Sequence, residues 1–92
     1  MVYIIYLGGY LKIGYTTDMR QRMRALRLGH VRGMVLPLGL TFPAEIEILG
    51  VLPGDQKLEH TLQLMFKQYK ITGEFFHDND EIRAFAKGLF PY

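Results

Sequence analysis

Two six-residue runs, VYIIYL at positions 2–7 and YLKIGY at 10–15, stand on either side of Gly8-Gly9. Both are rich in β-branched and aromatic residues, and the two glycines supply the positive φ angles that a two-residue hairpin turn demands. The segment predicts an antiparallel hairpin whose register follows by counting. Leu7 faces Tyr10, Ile5 faces Lys12, Ile4 faces Ile13 and Tyr3 faces Gly14. Side chains alternate across a sheet, so one face carries Val2, Ile4, Tyr6, Leu11, Ile13 and Tyr15, which is a good core surface. The other carries Tyr3, Ile5, Leu7, Tyr10, Lys12 and Gly14. There Tyr3 and Lys12 are diagonal neighbours, and Gly14, opposite Tyr3, leaves room above it.

Thr16-Thr17-Asp18 offers helix N-caps. With Asp18 in that role the spacing predicts a helix over about Met19–Leu28, with Met19, Met23 and Leu26 as its buried stripe. Arg20 and Arg24 point away from that stripe, and Arg22 and Arg27 flank it on opposite sides. Residues 29–42 are glycine-rich and irregular, open to either a loop or a short helix. Glu45–Leu52 alternates as a third strand, with Ile46, Ile48 and Gly50 on one face and Glu45, Glu47 and Leu49 on the other. Pro53-Gly54 is a turn, and Asp55 caps a second helix expected over Gln56–Lys70. Its apolar stripe is Leu58, Leu62, Met65, Phe66 and Tyr69. Glu59 borders that stripe and His60 points away from it. Asp78 with Glu81 three residues on predicts the start of a third helix, Asn79–Lys87. The expected fold class is α/β of the α+β type, one domain over residues 1–92 with a three-stranded antiparallel sheet and about three helices.

Composition narrows the function. At 92 residues, 49% hydrophobic and 22% charged, the chain is globular in character and large enough for a small core. It has no cysteine. That excludes disulfides, thiol catalysis and cysteine-bound zinc, and it suits a reducing compartment. No apolar run approaches the ~20 residues of a membrane span. The expected location is cytoplasmic, with no membrane partner. The net charge of +2 hides an asymmetry. Residues 1–44 hold six basic residues (Lys12, Arg20, Arg22, Arg24, Arg27, Arg32) against one acid, Asp18, whereas residues 45–92 hold five against eight. A positive cluster from Arg20 to Arg32 is either a footprint for a polyanion, nucleic acid being the usual candidate, or a solvated helix face.

Four side chains are candidates to carry chemistry. Arg22 presents a planar, permanently charged fork to phosphate oxygens. Glu59 is a carboxylate beside an apolar stripe, costly to bury unless it is paired or binds a cation. An ion pair with Arg22 would satisfy it structurally, and a divalent metal would satisfy it functionally. Tyr3 and Lys12 together are either a phenol and a cation that orient a water, or a packed tyrosine beside a lysine whose stem alone is buried. His30, His60 and His77 lack metal-ligand spacing, although His77 lies near Glu74 in sequence.

The order of these elements resembles the GIY-YIG nuclease superfamily. It is most similar to the small, often phage-encoded branch that reads roughly V-Y-x-I, K-I-G-Y-T, R, L, then E, L, F and G-E-[WF]-F. Here those are Val2-Tyr3-Ile4-Ile5, Lys12-Ile13-Gly14-Tyr15-Thr16, Arg22, Leu26, Glu59, Leu62, Phe66 and Gly73-Glu74-Phe75-Phe76. The resemblance implies metal-dependent hydrolysis of DNA. Tyr3, Lys12, Arg22 and Glu59 would be catalytic, with Glu59 the single ligand to Mg²⁺ or Mn²⁺. Glu74 would stand where many members carry an asparagine. Gly14, Tyr15, Glu74 and the arginines Arg20, Arg24, Arg27 and Arg32 would contact substrate. Three positions depart from the pattern: Met1 replaces a glycine of the first half-motif, Lys12 a tyrosine of the second, and Gln63 a histidine one turn after Glu59. A catalytically weakened or inactive member that only grips DNA is the rival reading. A third is a structural protein that self-associates through exposed Phe75, Phe76 and Tyr92. A double-strand cut needs two active sites or two binding events, which a homodimer would provide.

Overall fold

The computed structural model describes all residues, Met1–Tyr92. The hairpin forms in the expected register, β1 (Val2–Leu7) against β2 (Tyr10–Tyr15), with Leu7 opposite Tyr10 and Tyr3 opposite Gly14. Gly8 and Gly9 have φ of 56° and 101°, the left-handed region that favours glycine. Helix α1 (Met19–Leu28) also has the expected bounds. The Asp18 side chain accepts the Gln21 N–H at 3.0 Å at its start, and Gly29, at φ 83°, ends it. The residues from Gly29 to the third strand form a loop with turns and no helix.

The sheet has five strands, not three. Strand β3 (Ile46–Leu52) pairs with β1, and two short strands, β4 (Lys70–Thr72) and β5 (Phe75–His77), extend the other edge in the order β3-β1-β2-β5-β4. Glu45 lies outside β3. Helix α2 (Gln56–Met65), capped by Asp55, stops short of the expected Lys70. Its continuation tightens into a 3₁₀ turn over Lys67–Tyr69 that feeds β4. Three-residue strands are too brief to show the alternation by which strands are read from sequence. Helix α3 (Asp80–Lys87) is capped by Asn79 rather than Asp78, whose carboxylate is taken by Arg83 in a two-bond ion pair at 2.6 and 2.9 Å.

Both faces of the sheet are covered. Val2, Ile4, Leu11, Ile13 and Phe76 pack under Leu62 of α2, Phe66 at its C-terminal cap, and Ile82 and Ala86 of α3. Tyr3, Ile5, Leu7, Val51 and Phe75 pack under Met19, Met23 and Leu26 of α1, with Met34, Leu40 and Phe42 of the loop closing the margin. Each fully buried aliphatic or aromatic side chain contributes about 1.5–3 kcal/mol. Phe75 and Phe76 lie in these cores at 0% exposure, so they form no exposed patch, whereas Tyr92 is exposed. In β3 a register shift between the partners of Ile4 and Ile5 breaks the alternation. Ile46 and Ile48 keep to the α1 side. Gly50 turns to the α3 side, contrary to its expected grouping, where a Cβ would strike the Ala86 carbonyl.

Candidate functional site

The centre of the site is the middle of β2. Lys12 is fully buried on the α1 face, and a buried cation needs partners. It has two. Its Nζ donates to Tyr3 Oη at 2.6 Å and to Glu74 Oε1 at 2.6 Å, so the ammonium is held at both ends rather than reaching to solvent. The diagonal placement of Tyr3 and Lys12 makes the first bond. The short β5 makes the second: Phe75 pairs with Lys12, and the Glu74 carbonyl accepts the Ile13 N–H at 3.1 Å, which sets the Glu74 side chain beside Lys12. Because Tyr3 Oη accepts from Lys12, its own proton stays available as a donor.

Gly14 is buried, and the room above it is filled. A Cβ there would strike the phenol end of Tyr3 and lie 2.7 Å from Lys12 Nζ. Glycine at 14 is what lets these two groups meet. Tyr15 is half-buried and packs into the core under α2.

Beyond Lys12, β5 has ended. In antiparallel pairing the N–H and C=O of one residue point to the same side. The Ile13 N–H reaches Glu74, but the Ile13 carbonyl has no strand partner and accepts instead from Gln63 Nε2 at 3.0 Å. Gln63 is buried one turn after Glu59. It thus ties α2 to the edge of β2 and brings Glu59 round that edge. Sequence reasoning saw Gln63 only as a departure from a motif. The signal that could have found it is its position, four residues from Glu59 on one helix face.

Glu59 is half-buried and makes no ion pair: the only salt bridges join Lys12 to Glu74 and Arg83 to Asp78. The Arg22–Glu59 bridge expected as the structural alternative does not form. Burial raises the Glu59 pKa above its ordinary 4.5, and the Glu74 charge raises it further, while Lys12, His60 and Arg22 act in the opposite direction. These neighbours show that Glu59, Glu74, Lys12 and Arg22 share one electrostatic environment, although they lie on four different elements or turns. An unpaired carboxylate that resists ionisation beside a second carboxylate fits a cation chemically. No group of three or more His, Cys, Asp or Glu gathers anywhere in the chain, so a metal here would rest on Glu59 with water and phosphate oxygens.

The remaining arginines divide. Arg22 lines a depression of about 240 Å³ with Thr16, Thr17 and Asp18. Arg20, Arg24 and Arg27 line a larger groove on the opposite flank of α1, facing Ile48 of β3. Arg32 is exposed in the loop and joins neither. His77 is exposed opposite Tyr10, away from Glu59, and His60 faces solvent. No helix is long and apolar enough to cross a membrane.

No curated protein and no solved structure matches the chain. Residues 1–89 match the model of the T5orf172 domain, a phage-associated domain of the nuclease-related class, and the chain therefore belongs to the T5orf172 domain family.

Proposed function

We propose that the protein is a GIY-YIG-type endonuclease that hydrolyses DNA phosphodiester bonds with one Mg²⁺ or Mn²⁺ on Glu59. The observation that carries this reading is the unpaired, half-buried Glu59 carboxylate within electrostatic reach of Arg22 and of the Tyr3–Lys12–Glu74 chain. A structural ion pair would have neutralised it. A divalent cation held by Glu59 would supply Lewis-acid charge to the scissile phosphate. Tyr3, steadied by Lys12, orients the attacking water by accepting a hydrogen bond from it on the phenolic oxygen, which leaves the water's lone pair free to attack. Glu74 fixes Lys12 in that position. Arg22 neutralises the negative charge that builds on the phosphate oxygens as the P–O bond breaks.

The test is a panel of plasmid, duplex, branched and single-stranded DNA with Mg²⁺, Mn²⁺ or chelator, run on wild type, Arg22→Ala and Glu59→Gln. Both variants should stay folded by circular dichroism and lose about 10²–10³ in rate. Cleavage that either variant leaves unchanged would overturn the assignment. The rival, a binding module without chemistry, draws on the arginine groove lying on the flank away from Arg22. Salt-sensitive binding with no chelator-sensitive nicking would select it.

A further inference from the structure

The groove on the β3 flank of α1 has a make-up that phosphate binding alone does not require. Its volume is about 810 Å³, and Arg20, Arg24 and Arg27 follow one another along it, one turn apart. Met23 of α1 and Ile48 of β3 give it apolar lining, and Tyr92 adds an aromatic ring that is 63% exposed. Its one acid, Asp18, is occupied as the cap of α1. The groove also has a way out. A smaller depression shares Asp18 and Tyr92 with it and reaches Thr16 and Thr17. Those two threonines in turn line the depression that holds Arg22. A track therefore runs round the start of α1 from Arg27 to Arg22.

We propose that this track holds a single-stranded stretch of the DNA substrate, with its phosphates on Arg20, Arg24 and Arg27 and a base stacked on Tyr92. The inference rests on the nuclease reading for what the substrate is. Arg20 to Arg27 spans ~10 Å of helix, enough to meet successive phosphates of one extended strand. A duplex would engage the arginines but keep its bases stacked on one another, leaving Tyr92 and the apolar floor unused. A single strand offers both charge and ring faces, the combination that binds such strands without reading their sequence. The protein would on this basis favour substrates with a gap, flap or frayed end beside the cut.

Binding is measured in chelator, so that cleavage plays no part, by fluorescence anisotropy with a 15-nucleotide oligo(dT) and a 15-base-pair duplex. Tyr92→Ala should weaken oligo(dT) binding by about tenfold, Tyr92→Phe should restore it, and duplex affinity should move less than about twofold. Arg24→Ala should weaken both ligands and lower the salt dependence of each by about one ion. Unchanged oligo(dT) binding by Tyr92→Ala, no recovery with Tyr92→Phe, or equal losses on duplex would each overturn the inference. Cleavage by the wild type is scored separately. Tyr92-dependent binding in a protein that cuts nothing keeps the groove and removes the nuclease reading, and metal-dependent cutting without Tyr92 dependence does the reverse.

Discussion

The two faces of the β1–β2 hairpin are made from alternate residues of the same strands, yet they are built for different ends. Under α2 and α3 the buried residues are Val2, Ile4, Leu11 and Ile13, joined by Phe76, all apolar. Under α1 lie Tyr3, Ile5 and Leu7, equally buried, and among them the ammonium of Lys12. Burial alone does not tell the faces apart. A charge held where an apolar side chain would pack does, because taking it out of water is unfavourable even when it is well paired. Such groups gather where chemistry is done. The first face supplies cohesion, and the second gives up some of it to hold a phenol, a cation and a carboxylate in line.

The contrast is broken most directly by exchanging a large group on each face. Phe76→Ala opens a cavity in the apolar face and should cost about 3–5 kcal/mol, read as a fall in the urea midpoint. Lys12→Met removes a buried charge and keeps most of the volume. Glu74, 36% exposed, is able to rehydrate, and the main loss is the donor to Tyr3 Oη. Stability should stay within about 2 kcal/mol of wild type while cleavage falls by about 10²–10³. If Lys12→Met unfolds the chain as readily as Phe76→Ala, the second face is only another core.

A finer comparison uses neighbours. Ile13 and Gly14 are adjacent in β2 and serve opposite faces. Ile13→Val should cost about 0.5–1.5 kcal/mol and leave cleavage unchanged. Gly14→Ala drives a methyl into the Tyr3 phenol and toward Lys12 Nζ, and should cost about 1–3 kcal/mol. Its loss of cleavage should exceed what the lost stability explains, because the displaced groups are those of the site. Parallel losses of stability and rate in Gly14→Ala would count against the Tyr3–Lys12 geometry.

Most of the second face is legible in the sequence. A two-residue turn admits one register, and register placed Tyr3, Lys12 and Gly14 together. The start of α1, its Asp18 cap and its buried methionines followed from local rules that tertiary contacts did not override. The outer sheet was not legible. β4 and β5 are three residues each, and Phe75 and Phe76, adjacent in sequence, point to opposite faces of a strand too brief to show a period. Missing β5 meant missing the Lys12–Glu74 bond, which joins residues 62 positions apart. Gln63 was hidden for a related reason: its partner is a carbonyl left over where β5 stops, and no sequence pattern announces a missing strand partner. The split of the arginines followed from helical spacing only in part, since Arg27 was expected to flank the stripe and Arg20 and Arg24 to leave it, yet all three share one groove.

The smallest effect is the most discriminating, because it sets the two roles of one residue against each other. Burial, then Glu74, raise the Glu59 pKa in the folded chain above its ordinary 4.5. A carboxyl whose pKa is raised by folding contributes stability while it is protonated, below the unfolded value, and that contribution is lost as pH rises through the folded value. Ionised Glu59 is therefore a liability to the fold at neutral pH. Glu59→Gln should melt at or slightly above the wild-type temperature at pH 7. The gap should narrow as pH falls through the folded value and close below 4.5, where the wild-type carboxyl is protonated in the folded and the unfolded chain alike. A divalent cation that binds Glu59 would offset the same liability, so Mn²⁺ should raise the wild-type melting temperature at pH 7 and leave that of Glu59→Gln unmoved. Thermal melts of both proteins from pH 4 to 7.5, with and without Mn²⁺, test the two halves together. A variant less stable than wild type throughout would mean that Glu59 is a structural anchor, and equal shifts with Mn²⁺ would place the cation elsewhere. The expected pattern, a fold that improves when its carboxylate is removed and activity that disappears with it, belongs to a residue kept for chemistry rather than for cohesion.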